Sequence, residues 1–565
     1  MSASLLQRMD SVRGRPGVRD RPVLAPAAVE VPLKGVNTRD AVAGRPSVHS
    51  DSVVNALCQD GAVWIRGGCY PVFWVGEEEP TQIYTWQVAG HELLIVLAGG
   101  RLLWTDGELS GSPELERTEA NTLRPVVGGP GGGALPGEVG SEYHTVGYGN
   151  RFYGVSEGRD PWSLSWDSVL GAPRLDSSFA WGLPEALETT YSLRDLSGVA
   201  LFGDQLLFIT GKGQHYLYGE AGAFEGDLAE SGKPVSVTRG GIPEGIFSLA
   251  LTFDFGVQEY LFFQFATGEV VAYSGGGVDT DSFRRIQTRL FSRPLTSFPV
   301  ITTTDAYLLT PEGVVSMILA IQKPQESSNI VERVGKLWRG LVRHAGATAR
   351  GHYSSVHEMT IVSTLQAGGS VEMLVYQHAL DAFVQVRGWN YLNFLTYRSA
   401  LVGLGMVRDS DGWYTIDVMN RGNRDFVPEY DGDDRSAKQI LSTVSTASSP
   451  MGSAAAKVLR RVRVNYLGDQ LEPWRIRVVS DHGDFVGEAG LIRGFRVQPD
   501  DSVARYGEVR PEMESYPGVG RRVTDWVLAG VRGNHFAFEV ESAGTYGLSA
   551  GLISLDCEFQ ALSKQ

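Results

Sequence analysis

A train of hairpins constrains this chain more than anything else in it. From about residue 50 to the C-terminus, short apolar runs rich in β-branched and aromatic residues alternate with Gly, Asp and Ser turns. His91-Glu92-Leu93-Leu94-Ile95-Val96-Leu97-Ala98 breaks at Gly99-Gly100 and resumes as Arg101-Leu102-Leu103-Trp104. Val199-Ala200-Leu201-Phe202 turns at Gly203-Asp204 into Gln205-Leu206-Leu207-Phe208-Ile209-Thr210. Hairpin after hairpin predicts a large antiparallel all-β architecture. Glycine fits that reading: 69 of 565 residues exceed the usual roughly 7%. Positive-φ turn positions, which glycine fills without steric cost, account for such an excess.

The hairpins fall into units. Seven candidates lie near 53–75, 82–106, 142–169, 197–219, 246–274, 297–318 and 353–420, the last long enough for two. Their spacing of roughly 40 to 55 residues is that of propeller blades of about four strands. The expected fold is all-β: a β-propeller body over 47–421, a linker or long loop over 422–456, and a C-terminal β-sandwich over 457–565. The sandwich is read from alternation in Val462-Arg463-Val464-Asn465-Tyr466, Ile476-Arg477-Val478, Phe536-Ala537-Phe538-Glu539-Val540 and Ser554-Leu555-Asp556-Cys557-Glu558-Phe559. One helix is expected near 328–343. There Ile330, Val331, Val334, Leu337, Trp338 and Leu341 recur at helical spacing, and Asn329 with Glu332 suits a capping box.

Residues 1–46 carry eight Lys/Arg against four Asp/Glu, several prolines and no strand-length apolar run. Such an extended N-terminal arm cannot bury a core of its own. It is either solvated or ordered on a neighbouring subunit, and Arg13, Arg15, Arg19 and Arg21 are its candidate docking residues. No secretory leader is expected, because Arg8, Arg13, Arg15 and Arg19 interrupt the first residues. No run approaches the roughly 20 apolar residues of a membrane-spanning helix.

A net charge of -15 argues against wrapping nucleic acid, which needs clustered Lys and Arg. Cys58, Cys69 and Cys557 allow at most one bridge, Cys58 to Cys69 across a hairpin; reduced core thiols are expected. No catalytic, metal-binding or cofactor-binding residue is nominated. Gly154-Val155-Ser156-Glu157-Gly158 matches the serine-hydrolase elbow, but Pro161 and a strand follow where a helix is required. His357-Glu358 lacks the second histidine of a zinc motif, since position 361 is Ile361. Gly211-Lys212 lacks a phosphate loop. Asp409-Ser410-Asp411-Gly412 and Asp431-Gly432-Asp433-Asp434 lack the closing glutamate of a calcium loop and read as turns.

Three stretches, in order, resemble the tail hub or nozzle (packaged-DNA stabilisation) proteins of short-tailed bacteriophages. The first is Pro32-Leu33-Lys34-Gly35-Val36-Asn37-Thr38-Arg39-Asp40, followed by Gly61-Ala62-Val63-Trp64-Ile65-Arg66-Gly67-Gly68-Cys69. The second is Gly198 to Gly222. The third runs from Ser327-Ser328-Asn329-Ile330-Val331-Glu332-Arg333-Val334 to His357-Glu358-Met359-Thr360-Ile361-Val362. The resemblance implies a hexameric ring of propeller-bearing subunits below the portal and adaptor. Such a ring extends and closes the DNA channel until double-stranded DNA is ejected through it, without sequence-specific contacts or membrane insertion. It also implies a non-enzymatic virion protein made in the host cytoplasm, with portal, adaptor and other tail proteins as partners. Two other classes remain open. One is a receptor- or glycan-binding propeller using Trp162, Trp166 or Trp413, whose bland alternative is core packing; the other is a propeller glycoside hydrolase with an unnamed carboxylate pair.

Overall fold

A computed structural model describes residues 24–39, 48–50, 52–59, 61–109, 117–128, 135, 142–235, 237–253, 256–323, 325, 327–343, 349–367, 369–409, 411–421, 425–426, 437–438, 440–451, 455–468, 474–481, 497–499, 520–524, 526–542 and 550–562. The fold is all-β: a β-propeller body, a sandwich and an extended N-terminal segment.

Among the described residues, seven blades form the propeller. Blade 1 is Pro80–Val88, His91–Ala98, Arg101–Thr105 and Arg124–Pro125. Blade 2 is His144–Tyr148, Arg151–Val155, Trp162–Asp167 and Ala172–Leu175. Blade 3 opens with Leu196–Phe202 and Gln205–Thr210, blade 4 with Pro243–Phe253 and Gly256–Phe265. Blade 5 has three short strands, Val300–Ile301, Ala306–Thr310 and Gly313–Ser316. Blade 6 is Ala349–Ser354, Met359–Leu365, Val371–Gln377 and Ala382–Val386. Blade 7 takes Tyr391–Tyr397, Ala400–Gly405 and Tyr414–Met419 from the late chain and Cys69–Gly76 from the early chain, so the ring closes by strand pairing.

The second strand of a blade is buried on both faces, which explains its unbroken apolar run. Leu93, Ile95 and Leu97 pack toward blade 2, while Leu94, Val96 and Ala98 pack toward blade 7. In blade 3, Leu206 and Phe208 face blade 2; Leu207 and Ile209 face blade 4. Burying one such side chain is worth about 1.5–3 kcal/mol, so the blade interfaces are the main cohesive surfaces. The turn at Gly203 (φ 55) and Asp204 (φ 60) has both central residues left-handed, as a two-residue hairpin loop requires.

Units 82–106 to 297–318 coincide with blades 1 to 5, and 353–420 covers blades 6 and 7. The unit 53–75 is split. Val53–Val54, Ala56–Gln59 and Ala62–Ile65 belong to the sandwich, and only Cys69–Gly76 enters a blade. Alternation defines a strand and its faces; it says nothing about which sheet receives it.

The sandwich likewise recruits both ends of the chain. One layer holds Ala56–Gln59, Ala62–Ile65, Ala550–Ala561, Lys457–Gly468, Gly520–Thr524 and Val497–Pro499, with Val527–Gly533 also on Lys457–Gly468. The other layer continues blade 6. Outward from Ala382–Val386 come Val53–Val54, Ser442–Ser445, Phe536–Ser542 and Trp474–Ser480, giving one eight-stranded sheet. Val462, Val464, Leu555 and Cys557 meet Ile476, Val478, Phe538 and Val540 in the shared core. Ser442–Ser445 lies within the stretch expected to be linker, so that polar segment also contributes to a sheet. The Asp431–Asp434 run lies outside the described residues.

The described part of the N-terminal arm is fastened to its own chain. Leu24–Glu30 pairs antiparallel with Ala550–Ala561. Pro26 is tolerated because this is an edge strand, and Val29, Val31 and Val36 provide the burial that composition had seemed to deny. The Val36 amide donates to Phe383 (2.7 Å) and the Thr38 amide to Arg333 (2.7 Å). Arg13, Arg15, Arg19 and Arg21 lie outside the described residues.

The expected helix is Gly335–Val342, preceded by a 3-10 turn at Glu332–Val334. Trp338 and Leu341 enter the core, and the Trp338 indole donates to the Thr310 carbonyl (3.0 Å). Asn329 does not cap it: its Oδ1 accepts from the Val331 amide (3.1 Å) in a local turn. A second helix, Met317–Gln322, is capped by Ser316 Oγ, which accepts from the Leu319 amide (3.0 Å).

Where the sandwich, blade 6 and blade 7 meet, Arg66 and Asp425 form a buried bidentate pair (2.6 and 2.8 Å), with side chains 1% and 6% exposed. The guanidinium also donates to Asn55 Oδ1 (3.1 Å) and to the carbonyls of Gly67 (2.9 Å) and Arg387 (3.1 Å), and it stacks over Trp389 at 4.5 Å. Asp425 further accepts from the Trp389 indole (3.2 Å) and the Cys69 thiol (3.5 Å). Cys58, Cys69 and Cys557 are all buried free thiols, and Cys58 and Cys69 are not bridged.

Candidate functional site

The innermost strands of all seven blades converge on the propeller axis and enclose a cavity of about 410 Å³. Its lining mixes apolar residues, among them Val146, Val199, Ile246, Phe247 and Phe394, with polar groups in about equal measure. Toward one face it meets a wider space of about 1090 Å³, lined by Ser156, Glu157, Glu244, Arg293 and the chain entering blade 5. His144, Phe298 and Arg350 line both spaces and so mark their boundary.

Contacts at that boundary run across the axis rather than between neighbouring blades. His144 of blade 2 shares a hydrogen bond with Ser297 Oγ (3.0 Å), just before blade 5. Its ring stacks on Phe298 at 4.2 Å and 13°. Arg350 of blade 6 forms an ion pair with Glu142, just before blade 2, donates to the Ala349 carbonyl (2.9 Å) and lies 5.6 Å from the Phe298 ring. The pair is lopsided: the Arg350 side chain is 14% exposed, the Glu142 side chain 41%. Side-chain bonds also tie the inner strands to one another. Gln82 exchanges bonds with the backbone of Tyr143 (2.6 and 3.3 Å), and Asn393 donates to the Thr81 carbonyl (3.1 Å).

Burial sets the electrostatics. Desolvation pushes the imidazoles of both His144 and His352 down to about 4, so both are neutral at pH 7. Burial also lowers the pKa of Arg350, although a guanidinium stays charged. The boundary therefore presents one desolvated cation, one neutral imidazole and an aromatic face, with a second neutral imidazole, His352, in the inner cavity. Ser297 and His144 have the spacing of a nucleophile and its base. An imidazole at about 4 is a weak base at neutral pH, and among the described residues no carboxylate bonds its Nδ1. The arrangement is better suited to holding an anion than to activating a hydroxyl.

The sequence motifs fall elsewhere. Ser156 follows Arg151–Val155 into a turn that leads to Trp162–Asp167, so the strand-to-helix elbow is missing. Gly154 is required because a Cβ there would lie 2.2 Å from the Trp162 ring. Trp162 is a core residue, Trp166 lies 4.9 Å from His91, and Arg117 covers Trp413 at 4.2 Å, which is the packing role. Asp409 accepts from the amides of Asp411 (3.1 Å) and Trp413 (2.8 Å), as a turn residue does. Among the described residues no group of three or more His, Cys, Asp or Glu is placed to hold a metal. Among them, too, no helix is long and apolar enough to cross a membrane. No local motif announces the axial residues, since each blade contributes only three or four of them.

No protein-family model matches the chain, and no curated protein matches it. Among solved structures, it is similar to BBS1N in its complex with ARL6DN, at 13% identity over 64% of this chain and 98% of that one (TM-score 0.34). It is similar to AofleA from Arthrobotrys oligospora at 10% identity, over 63% and 99% of the chains (TM-score 0.30). It is also similar to a 6-phosphogluconolactonase, so described provisionally, from Bacteroides fragilis at 12%, over 61% and 95% (TM-score 0.32).

Proposed function

We propose that this chain is a structural subunit of the tail of a short-tailed bacteriophage. In this reading it is a nozzle or hub component that assembles as a six-membered ring below the portal and adaptor, extends and closes the DNA channel, and resides in the virion. One observation carries the proposal beyond the order of the family-like stretches. The first and third of them, about 300 residues apart in sequence, pack against each other. The Thr38 amide donates to the Arg333 carbonyl (2.7 Å), and Arg39 pairs with Glu332 (3.2 Å). The first and third stretches thus meet at the outer edge of blade 6, while the second lies in blade 3.

The architecture is compatible with a wall-forming part. Propeller and sandwich share a continuous sheet, so a subunit moves as one body. The axial cavity, crossed by His144–Ser297 and Arg350–Glu142, has small-molecule dimensions. In this reading the DNA conduit is therefore the axis of the ring and not that of the propeller. An overall charge of -15 favours a lumen that repels phosphate and lets DNA slide.

The test is assembly. Native mass spectrometry and negative-stain images of the purified protein, alone and with portal and adaptor, are expected to show closed six-fold rings. A strictly monomeric particle that does not join portal and adaptor would overturn the proposal.

A further inference from the structure

We infer that the axial cavity is a binding site for a small organic monocarboxylate with an apolar body, and that Glu142 occupies its anion position when no ligand is bound. This goes beyond the tail reading and concerns the single chain, whatever it assembles into.

Arg350 supplies the anion-binding group. Its guanidinium is largely desolvated, and its carboxylate partner comes from the opposite side of the axis, from a residue whose own side chain is 41% exposed. Arginine presents planar paired donors that match a carboxylate, and a partly hydrated glutamate is a partner that an incoming carboxylate can displace at little cost. The rest of the cavity selects the ligand's body. A volume of about 410 Å³ suits a small molecule, and the apolar part of its wall, from Val146, Val199, Ile246, Phe247 and Phe394, can cover an apolar ligand body. Phe298, stacked with His144, offers a flat apolar surface beside the guanidinium.

Charge selects the valence. His144 and His352 are neutral, and Arg350 is the one cation among the described residues that line the inner cavity. A monoanion is therefore balanced there, whereas a phosphate dianion leaves a buried negative charge uncompensated. No bond is made or broken; the event is an exchange of one carboxylate for another at the same guanidinium.

Calorimetric titration of the full chain with phenylacetate, indole-3-acetate and octanoate, each beside its primary amide, tests this. At least one acid is expected to bind more tightly than its amide by roughly tenfold, the equivalent of about 1.4 kcal/mol. Glu142→Gln removes the internal competitor and is expected to tighten that acid roughly tenfold without tightening the amide. Arg350→Gln is expected to abolish the preference for acid over amide. Acids and amides binding equally, no acid binding at all, or a Glu142→Gln protein with unchanged or weakened acid affinity would each overturn the inference. Because Glu142→Gln predicts a gain, a variant that merely folds poorly cannot imitate success. Ring assembly is measured separately, so failure here leaves the tail reading untouched.

Discussion

Replacing Asp425 with alanine strands the Arg66 guanidinium in a place where water does not reach it. The pair is nearly fully buried, and two charge-assisted bonds of 2.6 and 2.8 Å are lost at once. Removing one partner of such a pair costs about 3–5 kcal/mol, mostly because the remaining charge is left uncompensated. The Trp389 indole loses its acceptor in the same step, and a buried unpaired donor costs about 1–3 kcal/mol. These contributions overlap, so about 4–5 kcal/mol is the working figure. The loss is local to the junction of sandwich, blade 6 and blade 7, and a chain of this size does not unfold in two states. Hydrogen exchange followed by mass spectrometry on peptides spanning residues 64–70 and 386–392 is the suitable assay. At about 1.4 kcal/mol per tenfold, exchange there accelerates about a thousandfold in Asp425→Ala. The double variant Arg66→Met/Asp425→Leu removes both charges and stays close to the parent, within about 1–2 kcal/mol. An acceleration below tenfold in Asp425→Ala, or a double variant as labile as the single one, refutes the reasoning.

Other consequences can be checked more briefly. Gly154→Ala drives a methyl into the Trp162 ring and is expected to cost about 1–3 kcal/mol, read as a lower denaturation midpoint. Burial pushes the Cys58 thiol up to about 12 and raises the Cys69 and Cys557 thiols well above the ordinary thiol range, so none should react with iodoacetamide at pH 8 until the chain unfolds. Rapid alkylation of the native protein would contradict their placement. His144 and His352 are held at about 4 in the folded chain against an ordinary value near 6.5, so between those limits the unfolded state binds protons that the folded state refuses. Their stabilising contribution is thus full above about pH 6.5 and declines as pH falls toward 4, by at most about 1.4 kcal/mol per pH unit for each histidine. His352→Gln should flatten the decline in melting temperature between pH 7 and 5; an unchanged slope counts against the assignment.

The class of fold was legible because local rules dictate it. Gly203-Asp204 between two apolar runs is a hairpin in the sequence and in the structure, and Trp338 at helical spacing from Val334 and Leu341 marks a helix in both. What could not be read was long-range pairing. Ala56–Gln59 and Cys69–Gly76 look alike as strands, yet one joins Ala62–Ile65 in the sandwich and the other closes blade 7. The short helix Met317–Gln322 was also hidden, since Met-Ile-Leu-Ala-Ile-Gln is an apolar run that suits strand or helix equally. The axial site had no sequence signature at all. His144, Phe298 and Arg350 are ordinary residues at strand starts, and only closure of the ring sets them around one space.

Because the sandwich draws on both ends of the chain, it also sets a timetable. Val63 pairs with Leu552, a residue the ribosome adds roughly 490 positions later. At about 5–20 residues per second the early strands wait roughly 25–100 s for that partner. Cys69–Gly76 has a similar wait for Tyr414–Met419. Until their partner strands are made, Val63, Ile65, Val72 and Phe73 lack their final cover, so the nascent chain is exposed to aggregation and chaperone capture during that wait. Loss of the strand Ala550–Ala561 would leave both Leu24–Glu30 and Ala62–Ile65 without that partner.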